Sequence, residues 1–117
     1  MALLHAHGDA DKTILIGGGN VSAEFMVGDQ ADYPAARDSV AGWARLNGCA
    51  ATTDTSAAPL DLVNQLPGAE TAIEKWTGCP SSGAVELWTI HGADHAPSFR
   101  PDWALDLWGW LSAHPRS

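Results

Sequence analysis

Two short apolar runs that lead into histidine, glycine and aspartate constrain the fold of this chain more than any other feature. The first is ALLHAH, which leads into GDAD, and the second is VELWTI, which leads into HGADH. Each run has the length and composition of a buried strand. In open α/β sheets, ligands bind beyond the carboxyl ends of the strands. The sequence therefore predicts that the polar residues after both runs lie at one edge of a sheet.

The segments between and after these runs predict an α/β order. Apolar residues at helical spacing predict a helix that begins near Pro34 and stops at Asn47-Gly48. Thr71–Trp76 and residues 85–90 read as the two strands of a hairpin, and a second helix is predicted from about Pro101 to Ala113. Residues 20–33 and 50–69 are predicted as loops, the second of them a long surface connection. The pattern fits a partial α/β sheet, since it holds too few elements for a complete one.

Length and charge exclude several classes of protein. With 117 residues, the chain is expected to form a single domain, residues 1–117. Six basic against fourteen acidic residues give a net charge of −8, which repels phosphate backbones and excludes a nucleic-acid partner. No apolar run approaches the roughly 20 residues that span a bilayer, so no membrane partner is expected. The start, MALLHAHGD, lacks the basic region of a signal peptide.

The two cysteines, Cys49 and Cys79, have no metal-ligand spacing, so a structural zinc site is not predicted. Two interpretations of the pair remain open at this point. A disulfide would close a loop of about 30 residues and stabilise the fold by constraining the unfolded chain. Two buried free thiols would fit the same spacing equally well.

Asp11 and His95 form a candidate acid–base pair if the strands that precede them are neighbours. An aspartate that accepts a hydrogen bond from one imidazole nitrogen sets the tautomer and leaves the other nitrogen as a general base. The order of Asp before His along the chain is the one that α/β-hydrolases use. The alternatives are a turn-capping carboxylate after Gly8 and an ordinary loop histidine.

Nearly the whole chain resembles the C-terminal half of polyhydroxybutyrate depolymerase-like esterases. These belong to the α/β-hydrolase superfamily and are related to feruloyl and acetylxylan esterases. The resemblance rests on five stretches in order, namely LLHAHGDADKTI, YPAARDSVAGWARLNGC, AETAIEKWTGC, VELWTIHGADHAPSF and WALDLWGWLSAHP. It implies a partial α/β-hydrolase sheet with Asp11 as the triad acid and His95 as the triad base. It also implies that Cys49 and Cys79 are paired.

The activity that the resemblance implies is hydrolysis of a small ester or polyester, without a cofactor. Relatives are commonly exported and a disulfide suits an oxidising compartment, so an extracellular or periplasmic location is expected. The sequence departs from the family, however, because the nucleophile motif G-x-S-x-G and the oxyanion-hole segment are absent. Family members often read G-G-G-H where this chain has HGADH, so Ala93 and Asp94 are departures too. The alternative function is a truncated, catalytically inactive fragment that only associates.

Two further expectations concern partners and metals. A partial sheet leaves a strand edge and part of the Trp-rich last helix uncovered, which predicts a homo-oligomer. A metal-dependent hydrolase is a third possible function, because HAHGDAD is similar to the H-x-H-x-D stretch of metallo-β-lactamase-like enzymes. It is less favoured, because the further metal ligands of those enzymes are not recognisable here. The residues that could ligate a metal are His5, His7, Asp9, Asp11, His91, Asp94 and His95. We therefore expect no metal site.

Overall fold

The computed structural model describes residues 1–20 and 32–116, which form a small mixed α/β domain. The elements in chain order are β1 (Leu3–Gly8), β2 (Gly19–Asn20), β3 (Asp32–Tyr33), α1 (Ala36–Leu46), β4 (Thr53–Asp54), β5 (Thr71–Trp76), β6 (Val85–Ile90) and α2 (Trp103–Ala113). Both helices and the three long strands lie where the sequence predicts them. The loop predicted over residues 20–33 falls mostly outside the described residues, and its described ends pair as the short ribbon β2–β3.

Four strands form one mixed sheet in the order β1-β6-β5-β4. β1 and β6 run parallel, with Leu3 opposite Val85 and Gly8 opposite Ile90. β5 and β6 form the predicted antiparallel hairpin. β4 pairs with the far side of β5 and was not predicted, because a strand of two residues has no detectable period. The sheet is thus smaller than a complete α/β-hydrolase fold.

β6 is covered on both faces because its side chains alternate between two apolar clusters. Val85 and Leu87 pack with Val40 and Ala44 of α1. On the other face, Trp88 and Ile90 contribute to a second cluster that includes Trp110 of α2. The two helices therefore cover opposite faces of the central strand. Parallel pairing joins β6 to β1, and backbone hydrogen bonds join the segments that follow the two strands.

The segment of residues 50–69 is only partly the surface connection that the sequence predicts. Leu62 and Val63 are each 2% exposed and belong to the cluster on the Trp88 face. Buried Glu70 anchors them, since its Oε1 accepts hydrogen bonds from the Leu62 N–H and the Thr71 hydroxyl, both at 2.8 Å. Burial raises the pKa of the Glu70 carboxyl, but these hydrogen bonds outweigh burial and hold the pKa below its ordinary value. An isolated apolar pair has no period, so the sequence did not reveal its burial.

A disulfide joins Cys49 to Cys79, as the family resemblance implies, and excludes the free-thiol alternative. It connects the segment after α1 with the segment after β5, next to the cluster that contains Val40. Within the described residues, no helix is long and apolar enough to cross a membrane.

Candidate acid–base site

The carboxyl ends of β1 and β6 lie side by side because the two strands are parallel and adjacent. Backbone hydrogen bonds join the segments that follow them. The Asp9 N–H donates to the Ile90 carbonyl at 3.1 Å, and the Ala10 N–H donates to the Ala93 carbonyl at 3.1 Å. Gly8 permits this close approach, because a Cβ atom at that position would overlap the carbonyl oxygen of Ala93.

Asp11 and His95 meet at this edge of the sheet. Asp11 Oδ2 lies 2.9 Å from His95 Nδ1, while Oδ1 accepts the N–H groups of Thr13 at 2.8 Å and Ile14 at 2.9 Å. The carboxylate is therefore also a turn cap, which was the alternative interpretation of this residue. Asp11 is 6% exposed and the His95 side chain is 53% exposed. A buried, immobilised carboxylate thus holds an imidazole whose Nε2 remains available.

Opposing effects act on the pKa of Asp11. Burial raises it, but the hydrogen bonds from His95 and from the N–H groups of Ile14 and Thr13 outweigh burial and bring the pKa below the ordinary value of 3.8. Asp11 is therefore ionised at neutral pH. In this state it accepts the Nδ1 proton of His95 and can stabilise an imidazolium.

The lowered pKa predicts that Asp11 stabilises the fold at neutral pH and not in strong acid. The folded state binds this proton less tightly than the unfolded chain. The stabilisation is thus fully present above the unfolded-state pKa and disappears as the pH falls through the lower folded-state value. We expect Asp11→Asn to lower the free energy of unfolding fully at pH 6 and above, with a difference from wild type that shrinks as the pH falls below the ordinary carboxyl pKa of 3.8. Urea unfolding across this range measures the difference, and a constant gap would contradict the prediction.

A second carboxylate–imidazole pair lies at the same edge. Asp9 Oδ2 is 2.8 Å from His91 Nδ1, and Asp9 Oδ1 accepts the Gly92 N–H at 2.7 Å. The hydrogen bonds from His91 and Gly92 lower the pKa of Asp9. From the sequence, both residues are predicted only as possible metal ligands. The pair follows from the strand register, since Gly8 is opposite Ile90 and the residues directly after these strands are Asp9 and His91. The sequence alone has no signal for this register.

His5 and His7 form a hydrogen-bonded pair along β1. His7 Nε2 lies 2.8 Å from the Ile14 carbonyl oxygen, and because a carbonyl only accepts, Nε2 carries the proton. In the neutral ring, His7 Nδ1 then accepts the Nε2–H of His5 at 3.2 Å. Burial, and secondarily the neighbouring His7, lower the pKa of His5. Both rings are thus engaged within the protein.

The metal alternative has no geometric support in the described part of the chain. Within residues 1–20 and 32–116, there is no group of three or more His, Cys, Asp or Glu side chains that could hold a metal ion. The candidate ligands predicted from the sequence are divided among the hydrogen bonds given above. Asp94, the remaining one, bonds to the N–H groups of Lys12 and His95.

A cavity of about 420 Å³ opens beside the Asp11–His95 pair. Its wall is largely apolar and includes Ile14, Ile90 and Phe99. Its size falls within the range of small-molecule sites. The cavity thus places an apolar surface beside the imidazole of His95, which is hydrogen-bonded to the Asp11 carboxylate.

The nucleophile of a triad is not recognisable at this site. Among the described residues, no serine hydroxyl makes a hydrogen bond to His95, whose side-chain bond is the one to Asp11. Ser22 and Ser117 lie outside the described residues. The arrangement resembles the acid and base of a triad, and no third member is recognisable among the described residues.

The close approach at Gly8 leads to a prediction about the site. Gly8→Ala should lower the free energy of unfolding by roughly 1–3 kcal/mol, because the new Cβ forces the two loops apart. Gly17→Ala is the matched control, since a Cβ there meets no atom within 4 Å. We expect its effect to stay within about 0.5 kcal/mol. Equal effects of the two substitutions in urea unfolding would contradict the close-approach argument.

Comparison with family models, curated protein sequences and solved structures finds no match to this chain. The resemblance to polyhydroxybutyrate depolymerase-like esterases therefore stays a prediction from the five quoted stretches. The geometry of the Asp11–His95 pair supplies an independent basis for a functional argument.

Proposed function

We propose that the protein is an esterase-type hydrolase in which Asp11 orients His95 and His95 acts as the general base. The observation that carries this proposal is the 2.9 Å contact between Asp11 Oδ2 and His95 Nδ1. The carboxylate is buried and bonded to two backbone N–H groups, whereas the imidazole is exposed at a cavity. These are the roles that acid and base play in a hydrolytic triad.

In the proposed reaction, His95 Nε2 removes a proton from an attacking hydroxyl or water as its oxygen bonds to the ester carbonyl carbon. The imidazolium then returns this proton to the departing alkoxide as the ester C–O bond breaks. Asp11 remains ionised and stabilises the transient positive charge. If a serine hydroxyl attacks, it forms an acyl-enzyme that water then hydrolyses. Direct attack by water on the ester is the slower route. No cofactor takes part in either route.

The substrate class that fits this site is a small uncharged ester or the end of a polyester chain. Ile14, Ile90 and Phe99 provide an apolar wall for an acyl group. Asp11 and Asp94 also line the cavity, and the chain carries a net charge of −8, so an anionic ester would be repelled. The Cys49–Cys79 disulfide supports an extracellular or periplasmic location.

Ester hydrolysis by wild type and two variants tests the proposal. With p-nitrophenyl acetate and butyrate, we expect wild type to exceed the buffer rate and His95→Ala to lose about 100-fold or more of that excess. His91→Ala is the matched control, since His91 is also exposed and paired with an aspartate but lies outside the residues that line the cavity. Its rate should stay close to wild type. Equal rates for wild type and His95→Ala would remove this mechanism.

The source of the attacking oxygen requires a separate measurement. A fluorophosphonate probe labels an activated serine, and mass spectrometry of the labelled peptide would identify it. Labelling that disappears in His95→Ala supports a serine nucleophile activated by this imidazole. Turnover without labelling supports attack by water.

An inactive domain that only associates is the second candidate, and the absence of G-x-S-x-G favours it. Among the described residues, β1 pairs on one side only, with β6. Its sequence, LLHAHG, contains none of the charged residues or prolines that protect sheet edges. We propose that a second copy pairs there and forms a homo-oligomer. Light scattering during size-exclusion chromatography tests this, and a mass of 12.3 kDa, that of one chain, would contradict it.

A further inference from the structure

Asp94 occupies a position where the family resemblance leads one to expect glycine, and the structure gives its carboxylate a specific place. Oδ1 accepts the N–H of His95 at 2.8 Å and the N–H of Lys12 at 3.2 Å. His95 belongs to the loop after β6, and Lys12 directly follows Asp11 in the turn after β1. One oxygen atom therefore bridges the two segments that carry the base and the acid.

His95 depends on its backbone for its position. Its imidazole is exposed and has one side-chain hydrogen bond, to Asp11. The next cross-link between the two segments is the bond from the Ala10 N–H to the Ala93 carbonyl, two residues before His95. The Asp94 bridge is thus the cross-link that engages the backbone N–H of His95 itself. Without it, rotation of the peptide between residues 94 and 95 would move the ring away from Asp11.

We propose that Asp94 is a positioning residue that holds His95 Nδ1 against Asp11. It does so because its Oδ1 accepts hydrogen bonds from the N–H groups of both His95 and Lys12. This inference rests on the proposed function, in which the Asp11–His95 contact orients the base. The same two N–H groups lower the pKa of Asp94, so its carboxylate is ionised at neutral pH. Positioning through hydrogen bonds must therefore be separated from a simple effect of charge.

Two substitutions at residue 94 separate these effects. Asp94→Asn removes the charge but keeps a side-chain oxygen that can accept both N–H groups, whereas Asp94→Ala removes both. Asp54→Ala is the matched control, because Asp54 Oδ1 also accepts a backbone N–H, that of Ser56 at 2.8 Å. Asp54 lies on β4, at the opposite edge of the sheet from β1.

Long-range ¹H–¹⁵N NMR of histidine-labelled protein at about pH 8, where an ordinary imidazole is neutral, reports which ring nitrogen carries the proton. We expect His95 to be protonated at Nδ1 in wild type, Asp94→Asn and Asp54→Ala. Asp94→Ala should lose this signature and show exchange between the two tautomers, with an unchanged circular dichroism spectrum. Retention of the Nδ1–H tautomer in Asp94→Ala would overturn the proposal. Equal loss in Asp94→Asn would also overturn it, because charge would then be the cause.

The tautomer measurement requires no turnover, so it separates this proposal from the esterase proposal. A protein that hydrolyses no ester but loses the tautomer in Asp94→Ala refutes the esterase function and supports the positioning role. In an active protein, Asp94→Ala should lower kcat roughly 10- to 100-fold with little change in KM, because the base is misplaced. Asp94→Asn should retain most of the wild-type kcat.

Discussion

Replacement of Trp88 by alanine is expected to lower the free energy of unfolding by about 3–5 kcal/mol. Trp88 is 5% exposed and belongs to the buried cluster that also contains Trp110 of α2. Its Nε1–H donates to Glu86 Oε2 at 2.9 Å, within the buried part of the sheet. The substitution would leave a large cavity and remove one hydrogen bond from a buried carboxylate. Both effects destabilise the folded state.

Trp108→Ala is the matched control for this prediction. Trp108 is on α2 and is 67% exposed, so the same substitution removes little buried surface. We expect it to change the free energy of unfolding by about 0.5 kcal/mol or less. Urea unfolding followed by circular dichroism measures both variants. Similar losses at the two positions would contradict the division between buried and exposed tryptophans that the structure shows.

Loss of the Cys49–Cys79 disulfide is expected to lower the free energy of unfolding by about 3.6 kcal/mol, the chain-entropy value for a loop of this length. This is a large fraction of the roughly 5–15 kcal/mol that stabilises a typical domain. The bond joins the segments after α1 and β5, and both cysteines pack against the cluster with Val40 and Trp76. Its loss should also loosen the packing of α1 on the sheet.

The double variant Cys49→Ser and Cys79→Ser, compared with wild type in urea, measures this loss. Reduction of wild type with dithiothreitol should reproduce most of it. Dithiothreitol added to the double variant serves as the control, because no disulfide remains to be reduced. A loss of less than about 1 kcal/mol by either route would show that the disulfide constrains the unfolded chain far less than its loop length implies.

Sequence periodicity correctly located the long helices and strands, but it did not predict which of their residues are buried. In α1, Val40, Trp43, Ala44 and Leu46 recur at helical spacing, but only Val40 and Ala44 are buried in the structure. Trp43 and Leu46 lie towards solvent, because the sheet covers only a narrow stripe of the helix. A helical period locates a helix, but the neighbouring element decides how wide the buried stripe becomes.

The candidate site shows the same division. The order of Asp11 and His95, each in a polar segment after a strand-like run, suggested the pair before any coordinates. The Asp9–His91 pair and the Asp94 bridge were not predicted as contacts, because they depend on strand register and on loop conformation. Neither the strand register nor the loop conformation can be predicted from the local sequence of this chain.

The sequence by itself determined the helices, the long strands, the absence of a G-x-S-x-G motif and the negative charge. These properties follow from local composition and from the spacing of apolar residues. Only the tertiary structure decided that β1 and β6 are parallel neighbours, that Leu62 and Val63 are buried, and that Asp9 pairs with His91. Contacts between residues far apart in the chain are set by which packing buries the most apolar surface, and no single segment contains that information.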